Sequence, residues 1–217
     1  MTIAPVTREP VEFEEPTDDA GLLAAKADRV RFLVVPERRY FMIDGRGAPG
    51  SPNFRAAFTV LFPVAYTVHF ALKRRGVAAR IGVVEGLYWF GDADGPVDTT
   101  AWTQHDPVEW RWRLLLPVPE AATADEINGA FVEVARTKAP AALCDLRVEA
   151  WREGPAAQIL HVGSYASEPA TVARLSAEVA AVGLRPRGCH HEIYISDPNR
   201  TAADRLKTIL RQPVEVW

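Results

Sequence analysis

Apolar positions along this chain switch between a period of two and a period of three to four, and each switch marks an element. Val30 to Val35 is dense in β-branched and large apolar residues, and Tyr40 to Ile43 resumes the pattern beyond Pro36-Glu37-Arg38-Arg39, which predicts one long or bulged strand. Asp44-Gly45-Arg46-Gly47-Ala48-Pro49-Gly50 then breaks it, since its glycines permit positive φ. Ser51-Pro52 supplies an N-cap and a first-turn proline for a helix running toward Arg75 and stopped by Gly76. Phe54, Phe58, Leu61, Ala65, Val68 and Leu72 form its stripe, Phe62, Tyr66 and His69 widen it, and Pro63 predicts a kink. Such a helix lines a cavity or fills a thick core. Arg80 to Phe90 reads as a strand with Glu85 on the face of Val83, Leu87 and Trp89. Val108 to Leu116 alternates Trp110, Trp112 and Leu114 with Glu109, Arg111 and Arg113.

The second half repeats the order. Thr123 to Lys138 is a helix with Thr123 as N-cap and Glu126 completing a capping box. Strands at Asp145 to Trp151 and Ala157 to Tyr165 flank the turn-like Glu153-Gly154-Pro155, which predicts a hairpin. Glu168-Pro169 opens a helix with Val172, Leu175, Val179 and Val182 inward, and Cys189 to Asp197 is a strand. Thr201 caps a short helix through Leu206, and Thr208 to Val216 closes as an edge strand broken by Pro213. The expected fold class is α+β: two strand-helix-strand-strand units forming one antiparallel sheet with helices on one face and a central cavity. Residues 1–28 are expected as an N-terminal arm and 29–217 as a single domain, with pseudo-repeat halves of roughly 29–120 and 121–217.

Composition narrows the function. A chain of 217 residues that is 48% hydrophobic can bury a large core. Its net charge of -3, with no long basic run, supports neither nucleic acid nor an anionic membrane as partner. No uninterrupted apolar tract of membrane-spanning length occurs, and the acidic first 19 residues read as no targeting signal. Cys144 and Cys189 lack the spacing of a zinc or disulfide motif, so a cytoplasmic location is expected. The glycine loop after Ile43 matches no phosphate-binding spacing, and Asp92 and Asp94 lack the rest of a calcium loop, leaving a turn at Gly91 to Pro96. No cofactor and no obligate protein partner are implied.

Candidate chemistry centres on Cys189-His190-His191-Glu192-Ile193-Tyr194. Strand alternation places His190, Glu192 and Tyr194 on one face, so a carboxylate sits among rings. A buried carboxylate needs a partner, a proton or a cationic ligand, which makes Glu192 a candidate site beside the plainer reading of a satisfied hydrogen bond. Glu85 is a second acid among rings, and a pseudo-twofold relation would place it and Glu192 in related positions on the concave side between the halves. Adjacent histidines point oppositely, so at most His190 and Glu192 could hold a metal together from this strand, at least one ligand short of a zinc site.

Tyr40-Phe41-Met42-Ile43-Asp44-Gly45-Arg46-Gly47, Glu85-Gly86-Leu87-Tyr88-Trp89, Trp110-Arg111-Trp112-Arg113, His161-Val162-Gly163-Ser164-Tyr165 and His191-Glu192-Ile193-Tyr194 resemble the GyrI-like (gyrase-inhibitor-like) small-molecule-binding proteins. The resemblance covers most of the chain after about residue 28, and His190 to Pro213 resembles their stand-alone bacterial subfamily. It implies a duplicated strand-helix-strand-strand fold and a pocket for hydrophobic, often cationic aromatic molecules. Glu192 takes the acidic role, with Glu85, Tyr40, Tyr66, Trp89, Trp110, Trp112, His161 and Tyr194 as ligand-binding residues. It equally implies an alternative: a hydrolase that opens the cyclopropane of DNA-alkylating natural products, with Glu192 and Tyr165 catalytic. Phe62 stands where the family pattern suggests tyrosine, so the assisting hydroxyl would come from Tyr66, Tyr165 or Tyr194.

Overall fold

The computed structural model describes residues 11–91, 106–138 and 140–216. Residues 1–10 of the expected arm, and the expected turn from Asp92 to Pro96, lie outside these. After a short helix α1 (Asp19–Leu22), the chain forms β1 (Arg31–Arg46), α2 (Pro52–Arg74), β2 (Glu85–Phe90), β3 (Trp110–Pro117), α3 (Ala124–Thr137), β4 (Arg147–Val162), α4 (Glu168–Ala181), β5 (Leu184–Pro186), β6 (His190–Tyr194) and β7 (Lys207–Val216). The fold is α+β, with one antiparallel sheet in the order β4-β1-β3-β2-β6-β7-β5. A further β4–β7 pairing closes six of these strands into a barrel.

Local sequence sets the elements. Ser51 caps α2 by accepting from the Phe54 N–H at 3.3 Å, and Pro52 occupies the first turn. The expected capping box is present at α3, where Thr123 and Glu126 bond reciprocally. Strand β1 runs for 16 residues because it serves two partners, β4 along Arg31 to Met42 and β3 along Tyr40 to Arg46. That demand overrides the expected hairpin. β4 must accompany β1 past Glu153-Gly154-Pro155, so Gly154, at φ 75°, bends the strand without reversing it. Likewise β7 is not an edge strand: it lies between β4 and β6. Its Pro213 falls beyond the last β6 pairing at Arg211, where a missing N–H costs no β6 hydrogen bond. β2 starts at Glu85, later than the expected Arg80, and only a 3-10 turn, Ala203–Arg205, stands where Thr201 was expected to cap a helix.

The long helices α2, α3 and α4 pack outside the barrel. Val60, Leu61, Val64, Val68 and Leu72 of α2 are fully buried against Phe41, Ile43, Trp112, Leu114 and Leu116. Each contributes on the order of 1.5–3 kcal/mol on burial. By length and composition α2 could cross a membrane, but its apolar stripe is spent on this core. A second cluster joins Val172, Leu175 and Val179 of α4 to Ile159 and Leu210. The barrel interior is filled: Tyr40, Met42, Leu87, Trp89, Leu115 and Cys189 form one part, with Trp151 against them. Charged side chains fill the remainder. The described arm closes one end, with the Leu22 carbonyl accepting from Arg211 Nη2 at 3.0 Å and from Gln158 Nε2 at 3.2 Å.

Candidate functional site

Two buried polar clusters lie back to back on β6, separated by the thickness of the sheet. Alternation puts His191 inside the barrel and His190, Glu192 and Tyr194 on the helix-bearing face. The register decides which neighbours each face meets: Gly86 stands opposite Glu192, Tyr88 opposite His190, and Glu85 opposite Ile193.

Inside, His191 Nδ1 lies 2.8 Å from Glu153 Oε1, and Arg211 Nη1 lies 3.1 Å from Glu153 Oε2. Glu85 Oε2 approaches His191 Nε2 to 3.0 Å, but off hydrogen-bond alignment, so this is a charge contact. Arg211 Nε donates to Gln158 at 2.8 Å. Burial alone would raise the Glu153 carboxyl, yet His191 and Arg211 outweigh it and hold it at about 2. Burial would likewise lower His191, but Glu153 and then Glu85 prevail, and the imidazole is pushed up to about 9. The cluster is a charge-balanced framework with its acceptors and donors mostly spent on one another.

The outer cluster has the opposite character. Glu192 is 7% exposed and its one ion contact among the described residues is His190, 3.6 Å away. Tyr194 hydrogen-bonds with Tyr88, and the Glu192 charge acts on both phenols. Either hydroxyl could donate in the tyrosine pair. Burial raises both phenols well above their ordinary range, with the Glu192 charge adding to it, so both keep their protons. Tyr165 meets Tyr194 edge-on at 6.3 Å, and Trp110 meets Tyr88 edge-on at 6.3 Å and Phe90 at 5.5 Å. Tyr165, 42% exposed, forms the open side.

Glu168 completes this cluster. It is the first residue of α4, 8% exposed, and lies near enough to Glu192 and to the Thr208 hydroxyl for both to act on its carboxyl; Thr208 pairs in register with Tyr194. Its Oε1 is buried with no hydrogen-bond partner. Burial first, then the Glu192 charge, push its carboxyl up to about 9 against the pull of Thr208. Tyr165 is raised to about 12 by burial and then by Glu168, Glu192 and Asp197. The chemistry on offer is a pair of buried acids among rings, able to face a cation or position a water.

The sequence-derived residues therefore separate. Glu192, Tyr165, Tyr194 and Trp110 come together, and Trp112 lies on the same face beneath Phe54 at 5.2 Å. Glu85, Tyr40 and Trp89 sit inside the barrel, because the one-residue offset of Glu85 from Gly86 turns it to the other face. The expected pairing of Glu85 with Glu192 is thus replaced by Glu168 with Glu192. Tyr66 is half exposed in a row of rings along α2, tilted on Phe62 and stacked on Phe70. His161 has both ring nitrogens occupied, Nδ1 by Thr171 at 2.9 Å and Nε2 by Ser164 at 3.1 Å. Among the described residues no set of three or more histidines, cysteines or acids is placed to hold a metal. Glu168, Tyr88 and Thr208 were absent from the expected site, and His190 entered it only as a neighbour of Glu192 on the same strand face; Tyr88 had a signal, sitting inside a family-like motif on the face opposite Glu85. Two surface hollows of roughly 560 and 410 Å³, lined by residues such as Pro36 and Arg152 or His69 and Lys73, share no residue with the cluster.

The model of the GyrI-like small molecule binding domain matches residues 121–215, which include Tyr165, Glu168, Glu192, Tyr194 and Thr208. No curated protein matches the chain. Among solved structures, an uncharacterised conserved protein from Listeria innocua is 28% identical over 91% of this chain and 97% of its own, with a TM-score of 0.80. A hydrolase from Listeria innocua is 27% identical over 93% of this chain and 100% of its own, with a TM-score of 0.74. The C-terminal domain of EcmrR, 12% identical over 87% of this chain and 98% of its own at a TM-score of 0.52, shares the fold.

Proposed function

We propose, from the match of residues 121–215 to the GyrI-like small molecule binding domain, that this protein binds hydrophobic, cationic aromatic molecules against Glu192. The observation that carries this reading is a buried carboxylate bounded by Tyr88, Tyr165, Tyr194 and Trp110, with no lysine or arginine paired to it among the described residues. A cation stacked on such rings gains roughly 0.5–2 kcal/mol per contact, and the carboxylate adds its charge in a low-dielectric setting. Rings tolerate many flat shapes, so the site favours a class of xenobiotics over one molecule. Both cysteines are free, which is compatible with action in the cytoplasm. Fluorescence titration with ethidium tests the proposal: Glu192→Gln is expected to weaken binding at least about tenfold. Equal affinity in the two proteins removes Glu192 from the reading.

The likeness over nearly the whole chain to a protein described as a hydrolase favours a second reading of the same cluster. In it Glu192 takes a proton from water as the oxygen attacks a strained cyclopropane carbon. The ring bond breaks toward a conjugated oxygen, and a tyrosine hydroxyl, Tyr165 or Tyr194, hydrogen-bonds that oxygen. Mass spectrometry after incubation with a cyclopropane alkylator is expected to show a product heavier by one water. Intact substrate at stoichiometric enzyme refutes this activity for that compound.

A further inference from the structure

We propose that Glu168 makes the site proton-exchanging: a bound cation expels a proton from Glu168, so that uptake of the ligand and release of the proton are one event. This deepens the cation-binding reading and rests on it.

The geometry supplies the reason. Glu168 and Glu192 are both more than nine-tenths buried, on α4 and on β6 beside the Tyr194–Thr208 pair, and lie near enough for the charge of one to act on the other. Two carboxylates so placed cannot both ionise without a counter-charge. The groups facing Glu168 are Glu192, the Thr208 hydroxyl from β7 and Tyr165 just before α4; Tyr194, His190 and, from β2, Tyr88 surround Glu192; Asp197 acts on Tyr165. Beyond His190, 3.6 Å from Glu192, none of these brings positive charge. Glu168 therefore carries the proton at neutral pH, held up to about 9. Its Oε1, buried and unpartnered, is where an added charge or donor would be met. A cation held beside Glu192 cancels the repulsion from it, while the Thr208 hydroxyl and the N-terminus of α4 already favour the ionised form. The proton then leaves to solvent past the exposed Tyr165 edge. Charge balances: one positive ligand enters and one proton departs.

Calorimetry with ethidium, a permanent cation, in phosphate and in Tris at pH 7.5 reads the exchange directly, since the two buffers differ in ionisation heat. Wild type is expected to release at least about 0.3 proton per ethidium, and its affinity to rise with pH between 6 and 9 by at most about tenfold per unit. Glu168→Gln, checked for native circular dichroism, is expected to bind with no release and no such pH dependence. Thr208→Val, which removes the hydroxyl that favours the ionised form, is expected to move the release to higher pH, and it keeps the test available should Glu168→Gln fold poorly. Smaller release in wild type, or equal release in Glu168→Gln, or an unmoved profile in Thr208→Val overturns the exchange while leaving cation binding standing. Absence of ethidium binding by wild type overturns both.

Discussion

Glu153→Gln removes the central charge of the barrel interior while keeping shape. Glu153 is 2% exposed and touches His191 at 2.8 Å and Arg211 at 3.1 Å, so the substitution leaves two buried cations with Glu85 as their counter-charge. A carboxyl held at about 2 against an ordinary 4.5 is roughly 3 kcal/mol better ionised in the fold than in the unfolded chain. The rise of His191 from 6.5 to about 9 has the same size because it is the same interaction seen from the other end, so the two are not added. Breaking a buried pair by deleting one partner costs about 3–5 kcal/mol, in agreement. For a chain of this length that corresponds to a melting temperature lower by roughly 6–20 °C. Urea unfolding followed by tryptophan fluorescence at pH 6, 7.5 and 9.5 measures it. In wild type the His191 contribution is complete below pH 6.5 and fades as pH rises to about 9; the Glu153 contribution is complete above pH 4.5 and fades as pH falls to about 2. The deficit of the variant is therefore expected to be largest near pH 6 and smaller at pH 9.5, where only the Arg211 pair is still lost. A deficit under about 1 kcal/mol at pH 6, or one that does not shrink with pH, refutes the assignment of these charges.

Two further outcomes follow from the placement of rings. Gly45 pairs with Trp112 across the sheet, and a Cβ there would stand 2.1 Å from the indole, so Gly45→Ala is expected to destabilise by at least about 2 kcal/mol in urea through displacement of a buried tryptophan. A native-like urea midpoint for that variant contradicts the packing. Trp110→Ala is expected to weaken ethidium binding by about threefold or more, whereas Trp89→Phe, inside the barrel, changes it less than about twofold. The reverse order would place the ligand in the interior.

Much of the architecture was legible from pattern because local rules and tertiary demands agree there. The Ser51-Pro52 cap, the Thr123 and Glu126 box, the stripe of α2 and the alternation of β3 each express a side-chain hydrogen bond or a periodicity that needs no distant partner. Where a distant partner dictates the path, the reading failed. Glu153-Gly154-Pro155 looks like a hairpin turn in isolation and is a bend because β1 runs alongside it. Pro213 looks like the mark of an edge and is tolerated because β6 has already ended.

The sequence by itself determined that Glu192 shares a face with His190 and Tyr194, since alternation is a property of one strand. It also carried enough family-like motifs to point to a small-molecule site. Only the tertiary structure decided the company Glu192 keeps. Register is a relation between strands, and an offset of one residue exchanged Glu85 for Tyr88 at its side. Helix docking is a relation between layers, and it brought Glu168 from a helix start to a second buried acid. A chain read in one dimension fixes which way a side chain points, but the free energy of two carboxyls depends on their distance through space.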